Sequence, residues 1–376
     1  MKFIHLADLH IGKRHLGASL LEDQRYILEQ IISYVHNEKP NVVLISGDVY
    51  DKSTPPPEAV MIFDEFLAQL VNENCDVLVI SGNHDSAERI AFGHRLMKKS
   101  RVYMSPVFEQ AVSPILLNDE FGDVCFYLLP FIKPVHVRKV YPEAEIQSYD
   151  DAIATVISHM NVDKSKRNVL LMHQFVTGAI TCDSEVNAVG GVDQVSTAHL
   201  DDFDYVALGH IHTPQRITRD SIRYCGSPLK YSFSEVKHQK SVTVVEMYEK
   251  GRLEIRLLPL IPLRDTIELK GKYQELTEKS FYENMDREAY CSIILTDEDE
   301  EPFAVEKLRN IYPNLLKLEY DNTRMKLLTN LSGPTDVAEK EPIVMIDDFY
   351  KEWQGKSLSE EQRQHVIALL NQIRGM

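Results

Sequence analysis

Five short polar clusters hold the side chains best suited to chemistry: Asp8-Leu9-His10, Gly47-Asp48, Gly82-Asn83-His84-Asp85, His173 and Gly209-His210-Ile211-His212. Asp8 and Asp48 offer carboxylates, Asn83 an amide oxygen, and His10, His173, His210 and His212 imidazole nitrogens. These seven donors suffice for a pair of divalent metals, with Asp48 the candidate bridge between them. Mixed oxygen and nitrogen ligation favours Mn²⁺, iron or Zn²⁺ over Mg²⁺, which prefers oxygen and retained water. Two metals about 3.5–4 Å apart clamp a phosphate and supply a hydroxide for in-line attack. Taken singly the fragments are ordinary: DxH is weak, GD is a common turn after a strand, and GHxH sets two imidazoles on one side of any extended segment. GNHD is less common, because Asn and His both prefer water or a hydrogen-bond partner to a buried strand end. Five fragments in chain order, each behind an apolar run, make coincidence a poor explanation.

Those runs are the elements that must position the donors. Lys2–Ala7, Val42–Ser46, Val77–Ser81, Val169–Met172 and Tyr205–Gly209 are short, continuous and β-rich, as expected for strands buried on both faces. Glu22–Glu38 repeats apolar residues at Tyr26, Ile27, Ile31, Tyr34 and Val35, and Pro57–Asn72 does so at Val60, Phe63, Phe66, Leu67 and Leu70, so both predict helices. The pattern is α/β, and the polar clusters fall where strands give way to loops, the place open α/β architectures use for their sites. Glycine ahead of Asp48, Asn83 and His210 permits sharp turns there. The stretches around 105–135 and 222–260 read as later strands of the same domain. Beyond Pro259 and Pro262 a second unit begins, with strands at Thr266–Leu269 and Ser292–Leu295 around helix-forming sequence at Tyr273–Asp286, and a solvated acidic run at Asp297–Glu301. A linker near Gly333 leads to a tail in which Phe349, Tyr350 and Trp353 precede an amphipathic helix capped at Ser357 or Ser359 and bearing Val366, Ile367, Leu370 and Ile373.

At 376 residues, two domains or one large domain with appendages are expected. The net charge of −16 argues against nucleic-acid binding through the bulk field, so a phosphate-bearing substrate has to be drawn locally, by bound cations or a small basic patch. Five scattered cysteines without a CxxC pair make a disulfide framework or a thiolate zinc site improbable. No run approaches the ~20 apolar residues of a membrane helix. The start MKFIHLADLHIG lacks the order of a signal peptide, and a cytoplasmic protein is expected.

The order DxH…GD…GNHD…H…GHxH resembles the calcineurin-type metallophosphoesterase family over roughly residues 1–230. The longer stretches HLADLHIGK, ISGDVYDKSTPPPEA, ISGNHDS, LGHIHTPQ and YCGSPLKYSFSE are similar to one branch of it, the bacterial nuclease subunits that work with a coiled-coil ATPase. The resemblance implies an α/β fold with a metallophosphoesterase β-sandwich flanked by helices over 1–260, a small α+β capping domain beside the DNA over 261–335, and an ATPase-binding helical segment over 336–376. It implies Asp8, His10, Asp48 and His212 at one metal and Asp48, Asn83, His173 and His210 at the other, with Mn²⁺ the expected ion. His84 is the implied non-ligand histidine that steers the phosphate and protonates the leaving 3′ oxygen. Asp85 either orients that imidazole or N-caps the next helix. At position 51, where some relatives have a histidine, Asp51 has no assigned role.

Lys13, Arg14, Lys52 and Arg89 follow the candidate ligands and read either as backbone contacts to DNA or as solvated loop charges. The branch implies a 3′→5′ exonuclease on duplex ends and an endonuclease on single strands and hairpins, acting in DNA end processing, replication and recombination. It also implies a homodimer assembled with two ATPase subunits; the tail is the expected docking segment, though it could fold back on its own domain. Helices around Ala59–Leu70 and Arg89–Met97, carrying Met61, Ile62, Phe66, Phe92 and Leu96, are either core or the dimer face. There is no GxxxxGK[ST] loop, so ATP dependence has to come from the partner. The competing expectations are a phosphatase or cyclic-nucleotide phosphodiesterase on small substrates, and a scaffold with a structural metal site.

Overall fold

The apolar runs become fully buried strands in the computed structural model, which describes residues 1–185, 194–323, 342–354 and 356–374. Strands β1 (Lys2–Leu6), β2 (Val42–Ser46), β3 (Asp76–Ile80) and β4 (Val102–Met104) pair in parallel. A second sheet is built from β5 (Ile115–Asp119), β6 (Gly122–Leu129), β7 (Arg167–His173), β8 (Tyr205–Gly209), β9 (Gln215–Ile217) and β10 (Arg219–Tyr224). Strands β11 (Ser241–Met247) and β12 (Leu253–Pro259) then return to the first sheet, pairing antiparallel beside β1. The two six-stranded sheets run β12-β11-β1-β2-β3-β4 and β9-β10-β8-β7-β6-β5.

Between the sheets lies an apolar core of Phe3, Leu44, Leu78, Phe126, Leu171 and Tyr205, among others. Phe3 meets Tyr205 edge-on at 5.2 Å and Phe126 at 6.2 Å. Each such fully buried side chain contributes about 1.5–3 kcal/mol, which explains why strands like β2 and β3 carry no polar face. A second cluster joins Tyr127, Met172, Val206 and Tyr224 of the second sheet to Val137 and Ile153 of the helices Pro134–Val140 and Tyr149–Ser158. Because β1, β2, β3, β7 and β8 all belong to parallel pairs, their C-terminal ends in each sheet open in one direction.

Helices α1 (Leu21–Glu38) and α2 (Pro57–Asn72) bury Ile27, Ile31 and Val35, and Phe63, Phe66 and Leu70, whereas Tyr26 and Val60 of the expected stripes face outward. The helix expected over Arg89–Met97 is two short pieces, Ala87–Ile90 and His94–Met97, because Gly93 between them takes a left-handed φ of 73°. The apolar stripe also divides. Ile62 and Phe66 belong to the core, while Met61, Phe92 and Leu96 are exposed at 60, 83 and 73%.

The chain separates into two compact units, Met1–Thr266 and Ile267–Met376. In the second, Thr266–Gly271, Tyr290–Leu295 and Leu315–Tyr320 form a three-stranded sheet whose core holds Leu276, Ile293, Leu308 and Tyr312. The tail contains helices Pro342–Gln354 and Glu360–Arg374. Ser359, not Ser357, caps the latter: its Oγ accepts from the Gln362 N–H at 3.2 Å, and its own N–H reaches Gln362 Oε1 at 2.9 Å. The linker near Gly333 and the side chains of Trp353 and Ile373 lie outside the described residues.

Candidate metal centre

Just beyond the strand ends, the backbone departs from ordinary geometry at the candidate ligands themselves. Asp8, His10, Asp48 and His210 have φ of 54, 44, 50 and 101°. A non-glycine residue held there costs on the order of 1–3 kcal/mol and persists only where its surroundings over-determine it. Here the loops after β1 and β2 are zipped together by Asp8 N–H to Gly47 O at 3.0 Å, His10 N–H to Asp48 O at 2.9 Å and Ile11 N–H to Val49 O at 2.9 Å. The approach is close enough that a Cβ on Gly47 would overlap the His173 ring and one on Gly209 would overlap the Ser46 carbonyl.

The strained loops gather all seven expected donors. Asp8, His10, Asp48, His173, His210 and His212 are buried, and Asn83 is half-buried. Asn83 Oδ1 lies 3.0 Å from His173 Nε2 and 2.9 Å from His210 Nδ1. Asp48 Oδ2 lies 3.3 Å from His173 Nε2 and 3.6 Å from His10 Nε2, between the two groups of imidazoles. Asp8, His10 and His212 can each bring a ligand atom within 4.8 Å of the others, as can Asp8, Asp48 and His173.

The donor atoms fit cations better than they fit one another. A carbonyl only accepts, so His173 Nδ1 donates to Ser46 O (2.8 Å), and its Nε2 is left facing two oxygens. Burial opposes a charged His173, but Asp48 and then Asp8 outweigh it and raise the pKa to about 9. The proton so retained stands where a metal would neutralise Asp48. Burial likewise works against ionised Asp48, yet His173 and His10 hold its carboxyl far below the usual range. Burial pushes Asp8 up to about 6, and its Oδ2 finds no hydrogen-bond partner. His10 Nε2 and His212 Nε2 face each other at 3.1 Å; with His212 Nδ1 paired to Ser184, His10 Nε2 donates to His212 Nε2, and the lone pair of buried His10 Nδ1 is left without a partner. Divalent ions would resolve all three conflicts.

His84 stands apart from this pattern. Its Nδ1 donates to the Asp51 carbonyl at 2.9 Å, leaving Nε2 as the nitrogen able to exchange a proton with a substrate. Its ring packs edge-on against His10 at 4.8 Å, and its backbone N–H donates to Asp48 Oδ1 at 2.8 Å. Asp85 performs neither expected task. Its carboxylate accepts from the backbone N–H groups of Val49 (3.1 Å), Tyr50 (2.9 Å) and Gly82 (2.9 Å), tying the loops after β2 and β3 together. Ser86 caps the short helix instead, and Asp51, through its carbonyl, orients His84.

Of the four basic residues, Lys13 is committed to Asp51, with Nζ 2.9 Å from Oδ1. Arg14 is exposed and bonds the Gly17 carbonyl, Lys52 is exposed on its loop, and Arg89 is exposed on the wall of a cavity that also reaches Asn83.

Sequence reasoning missed the supports behind His212. Its Nδ1 donates to Ser184 Oγ at 2.7 Å, and Ser184 donates to Glu235 Oε1 at 2.6 Å. Glu235 Oε2 in turn pairs with Lys240 at 2.5 Å, while the His212 N–H bonds Glu185 Oε1 at 2.7 Å. Gln24 secures the other loop by donating to His10 O at 2.7 Å. Only Glu235 and Lys240 are near in sequence, five residues apart; the links from His212 to Ser184 and from Ser184 to Glu235 span 28 and 51 residues and had no local signal beyond the YSFSE string. Support of this kind fixes tautomer and ring orientation in metal sites.

The chain is similar to known proteins over these residues. Residues 1–214 match the calcineurin-like phosphoesterase model, and residues 262–353 match the type 5 capsule protein repressor C-terminal domain. The SbcD nuclease component of the Staphylococcus epidermidis SbcCD complex is 33% identical over 377 residues, covering 99% of each chain. A dimetal phosphatase from Danio rerio aligns over 69% of this chain and 96% of its own, with 14% identity and a TM-score of 0.39. The match to the phosphoesterase model spans every one of the loops that carry the buried donors, and the staphylococcal relative extends the likeness to the whole length: the chain is an SbcD-like member of the calcineurin-like phosphoesterase family.

Proposed function

We propose that this protein is the nuclease subunit of an SbcCD-type complex, a metal-dependent phosphodiesterase on DNA with 3′→5′ exonuclease activity on duplex ends and endonuclease activity on single strands and hairpins. The observation that carries the reading is the buried carboxylate of Asp48 set between His10 and His173, with His84 at its edge. Asp8, His10, Asp48 and His212 would hold one metal, and Asp48, Asn83, His173 and His210 the other. Paired ions there supply charge neutralisation for the scissile phosphate and an activated water. The chain's own part is to orient His84 so that Nε2 protonates the leaving 3′ oxygen, and to fix His212 through Ser184 and Glu235. The nitrogen-rich donor set disfavours Mg²⁺ and suits Mn²⁺, iron or Zn²⁺; within that group the reading takes Mn²⁺ from the family resemblance.

The same reading assigns residues 261–335 to a capping domain and 336–376 to docking on an SbcC-type ATPase, in a heterotetramer of two nuclease and two ATPase subunits acting in DNA repair, replication and recombination. Exposed Phe349, Ile367 and Leu369 on the tail helices support docking, and exposed Met61, Phe92 and Leu96 support a homodimer. No helix among the described residues is long and apolar enough to cross a membrane, and the reading places the complex in the cytoplasm.

The test is cleavage of end-labelled duplex and hairpin DNA with Mn²⁺ or Mg²⁺, with and without the ATPase and ATP. Mn²⁺-dependent cleavage abolished by chelator is the expected result. Hydrolysis of bis(p-nitrophenyl) phosphate with no cleavage of DNA, even with the ATPase, would favour the small-substrate phosphodiesterase instead. Deleting residues 341–376 is expected to spare that small-substrate activity and abolish co-purification with the ATPase. Undiminished ATPase binding would move the docking site elsewhere.

A further inference from the structure

Beside the metal centre, a cavity of about 490 Å³ has Asn83 on one wall and Arg89, Phe131, Lys133 and His136 on the others. Its size lies within the roughly 300–1,000 Å³ of small-ligand sites. The chain is strongly acidic, at −16, yet two exposed cations converge on this wall, and among the described residues neither Arg89 nor Lys133 enters an ion pair. Of the two carboxylates that share the cavity, Glu88 is engaged by the Ser86 hydroxyl at 2.7 Å, and Asp85 accepts from the backbone N–H groups of Val49, Tyr50 and Gly82. Phe131 is half-buried, anchored through its N–H to Ser81 O at 2.8 Å, and its ring stands edge-on to the candidate ligand His173 at 6.3 Å. His136 is held below its ordinary pKa by burial and then by Lys133 and Lys139, so it is neutral at pH 7 and serves as a hydrogen-bonding rather than a charged wall.

An aromatic face combined with cations along a groove is the arrangement that binds unpaired nucleotides, the ring stacking on a base and the cations meeting its phosphate. We propose that this cavity is a nucleotide subsite: it receives the unpaired nucleotide adjoining the bond to be cut, with the base against Phe131 and the phosphate between Arg89 and Lys133. The proposal rests on the nuclease reading and deepens it, since the subsite selects a frayed or single-stranded segment and places its phosphodiester next to Asn83. It also separates substrates, because a small aryl phosphodiester would reach the metals without entering the cavity.

Two measurements on the full-length protein test it. The first is the Kd of a fluorescein-labelled ten-nucleotide single strand, read by anisotropy in EDTA across a salt series. The second is Mn²⁺-dependent hydrolysis of bis(p-nitrophenyl) phosphate. Lys133→Ala is expected to raise Kd about five-fold and to flatten the log Kd against log salt slope by about 0.7, the value for one lost phosphate contact on a single strand. Lys133→Arg should restore both, and Phe131→Leu should weaken binding about ten-fold through lost stacking. Hydrolysis of the small diester should be unchanged in Lys133→Ala.

An unaltered Kd and slope in Lys133→Ala would overturn the subsite, as would absence of strand binding by the wild type. Loss of small-diester hydrolysis in Lys133→Ala would also overturn it, placing the residue in the metal centre's support. Failure of the nuclease reading has a separate signature: the wild type hydrolyses the small diester and leaves the strand intact in Mn²⁺.

Discussion

His84→Ala is expected to bind metal as the wild type does and to lose phosphodiester cleavage by roughly 10²–10⁴-fold, the usual worth of a positioned proton donor. The expectation follows from how the residue is divided between backbone and side chain. Its contribution to Asp48 is the backbone N–H at 2.8 Å, which alanine retains. Its imidazole is steered by the Asp51 carbonyl at 2.9 Å, so the substitution removes Nε2 while leaving the ligand scaffold in place. His84 is also near enough to His10 and Asp48 to share a cation with them, and for that reason metal content must be measured beside activity. Titration calorimetry with Mn²⁺ and cleavage of labelled DNA decide the matter together. Affinity lost along with activity would make His84 a ligand, and cleavage at the wild-type rate would remove it from the chemistry.

Lys240→Met is expected to destabilise the first unit by about 3–5 kcal/mol, the cost of leaving one member of a buried ion pair uncompensated. Lys240 is 4% exposed and Glu235 is fully buried. The ammonium binds Glu235 Oε2 at 2.5 Å, Ser227 Oγ at 2.8 Å and His212 O at 2.8 Å. Burial opposes the charge on Glu235, but the neighbouring His212 and Lys240 prevail and hold the carboxyl well below its ordinary range. Methionine matches the stem and deletes the charge, so Glu235 loses its counter-ion and His212 loses the chain that orients it. Urea denaturation of Lys240→Met, Glu235→Gln and the double variant would show strong non-additivity, with the double variant recovering much of the loss. Additive effects would mean that the two groups stabilise the fold independently. Mn²⁺ affinity should fall in both single variants, since the tautomer of His212 depends on Ser184 and Glu235.

These two predictions differ in how far each could be seen in the sequence. Asp8, His10, Asp48, Asn83, His173, His210 and His212 were legible as candidate donors, because apolar runs are local signals and the donors sit immediately behind them, whereas the role expected of His84 came from the family resemblance. A strand buried on both faces must be continuously apolar, so its end is visible as the first polar residue, and that end is where a parallel sheet opens to a ligand. Strand β2 and helix α2 begin and end at the residues that the apolar pattern marks.

Other features depended on groups far apart in the chain. The left-handed backbone at Asp8, His10 and Asp48 is held because two loops some 40 residues apart exchange hydrogen bonds; Asp and His are enriched in that region among non-glycine residues, but a few-fold preference does not single out these positions. Asp85 looked like a partner for its neighbour, but its carboxylate reaches the N–H groups of Val49 and Tyr50 across a loop contact. The apolar stripe over Arg89–Met97 broke at Gly93, and the stripe on α2 split between core and surface according to what packed against each turn. The Glu235–Lys240 pair, only five residues apart, became a support for His212 only when Ser184 arrived from another loop. The sequence by itself therefore determined which elements form and which chemical groups end them, since both follow from local periodicity and residue type. Only the tertiary structure decided how those groups are oriented, paired and charged, because orientation and charge are set by partners brought together in space.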